Sequence, residues 1–137
     1  MKQSAQVQDA LIRFYDGFSS GDAALLMDLI SSEPGVLNIG TDPQEWWDER
    51  DKLRQALEAQ MKELAGARMV HGQPVGYEEG SVGWVSDQPT IRMADGTEIP
   101  TRVTAVAHRE GDAWKFVQTH ISVGASNEET VGQTLTI

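Results

Sequence analysis

The side chains best suited to acid–base chemistry in this sequence are His120 and Asp42, with Tyr15 as a further candidate. His120 is a candidate because histidine is the side-chain type most often used as a general acid or base near neutral pH. Asp42 stands directly before Pro43, and that pairing is typical of a helix start, so capping is the simpler interpretation of its carboxylate. Catalysis by these residues is therefore one hypothesis among several.

Other kinds of site are not indicated. The chain has no cysteine, which excludes thiolate chemistry and Cys-ligated zinc. Its histidines, at positions 71, 108 and 120, lack the spacing of a metal site. There is no glycine-rich phosphate loop and no Gly-x-Ser-x-Gly nucleophile motif. We therefore expect neither a metal nor a cofactor.

The composition limits the partners. The 137 residues carry a net charge of −10, which repels nucleic acids and anionic membranes. No apolar run is long enough to span a bilayer, and the start of the chain does not resemble a signal peptide. We expect a cytoplasmic protein with one domain over residues 1–124 and a C-terminal tail over residues 125–137.

The first half of the chain has helical periodicity. Apolar residues recur every three or four positions over residues 4–18, and Asp22 can cap a second, shorter helix. A short strand follows at residues 36–39. The segment Thr41–Glu45 has the pattern of a helix start, and a long helix is predicted from about Asp48 to Leu64.

The second half alternates in the manner of β-strands, and its clearest feature is a hairpin of residues 98–109 and 113–123. Helices that precede an antiparallel sheet indicate the α+β class. If Glu110-Gly111-Asp112 is the loop, His108 faces Trp114 and Arg102 faces His120. One face then carries Arg102, Thr104, Val106, His108, Trp114, Phe116, Gln118, His120 and Ser122. The other, smaller and apolar, carries Thr101, Val103, Ala105, Ala107, Val117, Thr119, Ile121 and Val123.

Two groups of motifs resemble the SnoaL-like branch of the nuclear transport factor 2-like superfamily over roughly residues 5–124. One is Phe14-Tyr15 followed by Ser20-Gly21-Asp22, and the other is Trp114-Lys-Phe-Val-Gln-Thr-His120-Ile-Ser122 preceded by Arg102-Val-Thr104. The resemblance implies two N-terminal helices and one long helix packed in the concave face of a strongly curved, mostly antiparallel sheet. This cone would enclose a central pocket. A homodimer made through the outer face of the sheet is also implied.

The resemblance also locates the catalytic positions of ketosteroid isomerase, a member of the superfamily. That enzyme uses an aspartate base with a tyrosine and a protonated aspartate as hydrogen-bond donors. Aligned on Gly21-Asp22, the tyrosine position falls at Phe14, the base position at Asn38 and the protonated aspartate position at Thr101. None of them titrates usefully near neutral pH, and an amide cannot serve as a base. Isomerase chemistry of that kind is therefore disfavoured.

The same alignment predicts the ligand-binding and interface residues. A small apolar or aromatic ligand would contact a mostly apolar pocket lined by Phe14, Tyr15, Phe18, Asn38, Trp46, Trp47, Leu57, Met61, Val82, Trp84, Thr101, Val103, Ala105, Val117, Thr119 and Ile121. The dimer interface would comprise Arg102, Thr104, Trp114, Phe116, Gln118 and His120. Two adjacent tryptophans cannot both enter the core, so Trp46-Trp47 either plugs the cone or stacks on a ligand.

Three functions follow as hypotheses. The first is a homodimeric small-molecule-binding domain without an evident catalytic pair. The second is a polyketide-cyclase or isomerase type of enzyme that uses His120 or Asp42, and it requires one of them inside the cavity. The third is an association module, whose work is dimerisation or the docking of fused partners.

Overall fold

The structure, a computed structural model, describes residues 1–137. It contains four helices and ten strands. The helices are α1 (Ala5–Ser20), α2 (Ala23–Leu29), α3 (Arg50–Glu63) and α4 (Asn127–Val131). The strands are β1 (Lys2–Gln3), β2 (Leu37–Ile39), β3 (Trp46–Trp47), β4 (Arg68–Val70), β5 (Val75–Glu79), β6 (Val82–Asp87), β7 (Thr90–Arg92), β8 (Glu98–Pro100), β9 (Arg102–Glu110) and β10 (Ala113–Ser122).

Helix α1 confirms the predicted N-terminal helix and shows why it forms there. Ser4 caps its start, where the Ser4 side chain accepts a hydrogen bond from the Val7 N–H at 3.2 Å. Gly21 ends it in the left-handed conformation, with φ of +67°, which a residue without Cβ adopts at no steric cost. The apolar stripe between these ends, including Val7, Leu11 and Phe14, is buried.

The strands form two sheets, and the fold is α+β as predicted. The larger sheet has seven strands in the order β1-β5-β6-β9-β10-β2-β3, and the smaller has three in the order β4-β7-β8. Pairing is antiparallel except between β10 and β2, which are parallel. The large sheet is curved but not closed, and a two-residue strand lies at each end. Helices α1, α2 and α3 pack against its concave side and bury one continuous core.

The register of the β9–β10 hairpin differs from the prediction. The loop is one residue shorter than predicted, since Ala113 pairs with Glu110 and Trp114 with Arg109. This places Trp114 and Phe116 on the same face as Ala107, where both aromatic side chains are buried in the core. Their prediction as dimer-interface residues is therefore wrong. A one-residue change of register moves every side chain of a strand to the other face.

A β-bulge in β10 then restores the predicted faces. Phe116 pairs with Ala107 but Gln118 pairs with Val106, so Val117 is an extra residue in the ladder. Beyond the bulge, Thr119 faces the core. Gln118 and His120 are exposed on the outer face, as are Arg102 and Thr104 of β9.

The segment before α3 is a hairpin, so the predicted helix start at Thr41–Glu45 is wrong. Strand β3 pairs with β2, with Trp47 opposite Asn38 and Trp46 opposite Ile39. Asp42 caps the turn between these strands, where its carboxylate accepts a hydrogen bond from the Gln44 N–H at 2.8 Å. The long helix itself, predicted from about Asp48 to Leu64, is present as α3 at Arg50–Glu63.

Two predicted strands are each divided between the sheets. The first arm of the long hairpin breaks at Thr101, whose N–H and hydroxyl both donate to the carbonyl of Pro89, at 2.9 and 2.8 Å. Strand β8 therefore joins the small sheet, while β9 continues in the large one. The segment from Met69 to Tyr77, which the sequence predicts as one irregular strand, likewise forms two strands, β4 and β5, in different sheets.

Arg50 joins α3 to the end of α2. Its guanidinium donates hydrogen bonds to the carbonyl oxygens of Met27, Ile30 and Ser31, at 2.8–3.0 Å. Carbonyls at the end of a helix lack intrahelical partners, and a cation there is favoured by the helix dipole. The contact fixes α3 across the open side of the sheet. None of the helices is long and apolar enough to cross a membrane.

Candidate functional site

A cavity of about 340 Å³ lies between the concave side of the large sheet and the three N-terminal helices. Most of its lining is apolar. Of the predicted ligand-binding residues, the structure brings together Phe14, Phe18, Asn38, Trp47, Leu57, Met61, Thr119 and Ile121. The other lining residues are Leu26, Ile30, Ile39, Gly40, Thr41, Glu45, Leu53, Gln60, Glu63, Leu64 and Ile91.

The deepest polar groups of the cavity are Asn38 and Thr119, which face each other on the parallel strands β2 and β10. Both are buried, and the Thr119 hydroxyl donates to Asn38 Oδ1 at 2.6 Å. This bond orients the amide so that Oδ1 is occupied. Asn38 Nδ2, in a side chain only 5% exposed, has no hydrogen-bond partner. A buried donor without a partner is costly, so this amide has an unmet need for an acceptor.

The mouth of the cavity carries the more exposed polar side chains of the lining, which are Thr41, Glu45, Gln60 and Glu63. Glu45 is half-buried and Glu63 is exposed, whereas Gln60 reaches across from α3 to donate to Glu45 Oε2 at 3.3 Å. The backbone N–H of Asp42 donates to Glu45 Oε1 at 3.1 Å. The Glu45 side chain also lies against Gly40, where a Cβ would come within 2.3 Å of Oε2. A larger residue at position 40 would displace this carboxylate.

The two adjacent tryptophans point in opposite directions because they lie in a strand. Trp47 is half-buried and lines the cavity wall. Trp46 is 59% exposed and does not line the cavity, so its prediction as a pocket residue is wrong.

Several other predicted pocket residues lie elsewhere. Val82 and Trp84 are on the outer face of the sheet, where Trp84 stacks on Tyr77 with 6.2 Å between ring centroids. Val85 and Gly83, not these two, face the core, where they pair with the buried residues Ala105 and Ala107 of β9. Thr101, Val103 and Ala105 are buried on the inner side, away from the cavity lining, and Val117 is the bulge residue.

Tyr15 is also outside the cavity, contrary to its prediction as a ligand-binding or catalytic residue. Its buried hydroxyl donates to Asp87 Oδ2 at 2.8 Å, while Asp87 Oδ1 accepts from the backbone N–H groups of Gln73 and Gln88. Burial, and then the hydrogen bond and negative charge of Asp87, raise the pKa of Tyr15 far above its usual value. This hydroxyl therefore joins α1 to the sheet and cannot serve as a base near neutral pH.

The raised pKa of Tyr15 predicts a loss of stability in alkali. A tyrosine in the unfolded chain ionises near pH 10, whereas Tyr15 keeps its proton when folded. Above about pH 10 the unfolded state binds fewer protons than the native state, so the free energy of unfolding falls by up to about 1.4 kcal/mol per pH unit. Urea unfolding at pH 9, 10 and 11 should show a smaller fall for Tyr15→Phe. Equal falls in the two proteins would contradict the prediction.

The structure does not support the proposed acid–base candidates. His120 is exposed on the outer face of the sheet, and Asp42 is exposed in the β2–β3 turn. Neither lines the cavity, which corrects the hypothesis that one of them acts on a ligand there. No cluster of three or more His, Asp or Glu side chains is arranged to hold a metal ion.

Comparison with known proteins places the chain in a family. Residues 7–126 match the model of the SnoaL-like domain. The chain belongs to the SnoaL-like domain family. No curated protein sequence matches it.

Solved structures similar to this SnoaL-like domain share its fold at low identity. A candidate dehydratase of the NTF2-like family from Streptomyces avermitilis has a TM-score of 0.75 at 16% identity, over 88% of this chain and 96% of that one. A protein of unknown function with a cystatin-like fold from Nostoc punctiforme has a TM-score of 0.75 at 14% identity, over 92% and 97%. A candidate calcium/calmodulin-dependent protein kinase type II association domain from Thiobacillus denitrificans has a TM-score of 0.67 at 19% identity, over 86% and 94%. These likenesses show the nuclear transport factor 2-like fold.

The polar residues at the mouth of the cavity in this SnoaL-like domain were not predicted from the sequence. Glu45 was assigned to a helix start, and Gln60 and Glu63 had no assigned role, although the β2–β3 hairpin and α3 bring all three to one opening. The available signal was Trp46-Trp47 itself, because tryptophan favours strands and Gly40 precedes a turn-forming Asp42-Pro43.

Proposed function

We propose that this SnoaL-like domain binds a small, mostly apolar ligand whose acceptor oxygen receives a hydrogen bond from Asn38 Nδ2. The observation that carries the proposal is the unpartnered amide N–H group in a buried side chain at an otherwise apolar cavity. Ligand sites typically combine an apolar lining with a few convergent polar groups that fix orientation. Asn38 is suited to be such a group.

The size of the cavity supports a ligand with about two rings. A dry apolar cavity of about 150 Å³ is large enough to hold benzene. The cavity here, at about 340 Å³, has roughly twice that volume. A carbonyl oxygen on one ring could then accept a hydrogen bond from Asn38 Nδ2 while the apolar surface of the ligand stays inside the cavity.

A thermal-shift screen of flat, oxygenated ring compounds tests the proposal. A ligand present at about a thousand times its dissociation constant stabilises a protein by roughly 4 kcal/mol, which is readily measured. We expect hits among neutral two-ring ketones such as 2-acetylnaphthalene. If no compound of this class raises the melting temperature, the proposal fails and an association role gains support.

A double variant, Asn38→Leu/Thr119→Val, should separate the hydrogen bond from the fit. Replacing both members of a buried hydrogen-bonded pair by apolar groups of similar shape is nearly neutral for stability, so the variant should fold. Its affinity for 2-acetylnaphthalene should fall about tenfold, the value of roughly one lost hydrogen bond. Its affinity for 2-isopropylnaphthalene, which has no oxygen, should not fall. Equal losses for both compounds, measured by calorimetry, would show that Asn38 does not select the oxygen.

We also propose that the domain is a homodimer formed through the outer face of the large sheet. Val75 and Val82 are 44% and 43% exposed there, next to the Tyr77–Trp84 stack. Contiguous exposed apolar groups of this kind are typical of interaction surfaces. Arg102, Thr104, Gln118 and His120 would complete the polar part of the interface. Sedimentation should give twice the 15.0 kDa chain mass, and a monomer at micromolar concentration would contradict the proposal.

A further inference from the structure

The charged residues that line the cavity are both acidic. They are Glu45 and Glu63, and no lysine, arginine or histidine contributes to the lining. Of the four cations of α3, Arg50 donates to backbone carbonyl oxygens and Lys62 does not line the cavity. Lys52 pairs with Glu49 and Arg54 pairs with Asp51, each within its own turn of chain. The mouth of the cavity therefore has an excess of negative charge.

Glu45 is held in place rather than free in solvent. Its two carboxylate oxygens accept hydrogen bonds from the Asp42 N–H and from the Gln60 amide, and its side chain packs on Gly40. Both donors are neutral groups, so neither supplies a compensating positive charge. Each oxygen retains capacity for a further hydrogen bond.

Asn38 provides an independent indication that a ligand occupies the same cavity. Its unpartnered Nδ2 belongs to a residue that is only 5% exposed. Asn38 is therefore much more buried than Glu45 and Glu63 at the mouth. The cavity thus has a hydrogen-bond donor at depth, carboxylates at the opening and apolar walls between them. Trp47 lines the wall, and the face of an indole ring attracts cations.

We propose that the cavity selects amphipathic amines, in which an apolar body carries an acceptor oxygen at one end and a protonated amine at the other. This inference rests on the proposed ligand-binding function and specifies its ligand class. The ammonium group would lie at the mouth of the cavity, which Glu45 and Glu63 line, because a carboxylate accepts strong hydrogen bonds from an ammonium group. Carboxylic acids of the same shape would be repelled from the mouth.

A matched ligand series tests this selection. The probes are 2-acetylnaphthalenes with an aminomethyl, a hydroxymethyl or a carboxylate group at position 6, and their affinities would be measured by calorimetry at low and high salt. The aminomethyl compound should bind about three- to thirtyfold more tightly than the hydroxymethyl compound at low salt, because two partly exposed carboxylates each add a modest attraction. The advantage should shrink at high salt as the charges are screened. The carboxylate compound should bind least tightly.

Charge-removing variants locate the effect. Glu45→Gln keeps the shape of the side chain and should abolish most of the preference for the amine over the alcohol, and Glu63→Gln should reduce it further. Glu58→Gln is the matched control, since Glu58 is exposed on the same helix but does not line the cavity. It removes the same charge and should leave the preference within about twofold. An equal effect of the control would show that only the overall negative charge of the protein matters.

The outcomes distinguish the two proposals. If the hydroxymethyl compound binds but the amine binds no more tightly, the amine inference is overturned and the binding function stands. If the carboxylate compound binds best, the inference is likewise overturned. If none of the three compounds binds to the folded wild-type protein, the binding function fails and the inference fails with it.

Discussion

Phe116→Ala should lower the free energy of unfolding by about 3–5 kcal/mol, the usual cost of removing a fully buried aromatic ring. Phe116 is only 1% exposed, and its ring meets Phe14 of α1 edge to face, with 6.2 Å between centroids. Alanine would leave a cavity between the sheet and α1 and would remove this aromatic pair. Urea unfolding measures the loss, and Phe116→Leu, which leaves a smaller cavity, provides a second value if the alanine variant is too unstable to purify.

Gln118→Ala is the matched control, and comparing it with Phe116→Ala tests the register of β10. Gln118 is two residues further along the same strand but is exposed on the outer face, because Val117 is an extra residue in the ladder. Its replacement should change the free energy of unfolding by no more than about 0.5 kcal/mol. In a regular strand, residues 116 and 118 would lie on the same face. Similar effects of the two substitutions would therefore contradict the bulge.

Arg50→Ala should lower the free energy of unfolding by about 2–4 kcal/mol. Three carbonyl oxygens, of Met27, Ile30 and Ser31, would lose a charged donor, and a hydrogen bond to a charged group is worth about 1.5–3 kcal/mol. The expected loss is smaller than the sum of three such hydrogen bonds because Arg50 is half-buried. Water can therefore donate to some of the carbonyl oxygens in the variant. Thermal and urea unfolding both measure the change.

Arg54→Ala is the matched substitution on the same helix. Arg54 forms one exposed ion pair with Asp51, and such a pair contributes about 0.2–1 kcal/mol at most. Arg50→Lys should behave like Arg50→Ala more than like the wild type, because one ammonium group cannot reproduce the planar fork that reaches three carbonyls. If Arg50→Ala and Arg54→Ala cost the same, Arg50 does not hold the end of α2.

The elements that the sequence predicts best are those with a long, uninterrupted period. Helix α1 has a stripe of buried apolar side chains over its length, with Ser4 and Gly21 at its ends, so local chemistry and tertiary packing agree. Strand β9 likewise alternates over nine residues, and β10 alternates on either side of its bulge. Motifs in these segments were sufficient to indicate the SnoaL-like family and its α+β fold.

The faces of β10 could not be derived from alternation alone. The loop is one residue shorter than the predicted three-residue loop, and this difference moves the side chains of β10 to the opposite face of the sheet. The bulge at Val117 then moves the residues that follow it back again. The two changes cancel for His120 but not for Trp114 and Phe116. A bulge depends on the partner strand, and neither Val117 nor its neighbours carry a local signal such as glycine for one.

The residues of the candidate site that match aligned positions of the family could be predicted from the sequence. The residues that tertiary contacts bring to the cavity could not. Asn38 and Thr119 were both named, but the bond between them joins residues 81 positions apart. Glu45 was interpreted from its neighbours in sequence, because Thr41–Glu45 satisfies the rules for a helix start as well as those for a turn. Only the pairing of Trp46-Trp47 with β2 decides between them, and it brings Glu45 to the cavity.

The two-residue strands at the ends of the large sheet also bear on how copies of this chain meet. A long open edge offers a row of unpaired N–H and C=O groups, from which edge-to-edge aggregation can spread. Here β1 and β3 each present only two residues, and Lys2 adds a charge to one of them. A strand from another copy of the chain could form very few backbone hydrogen bonds with either edge. The short ends therefore oppose polymerisation by addition of strands at the edges of the large sheet.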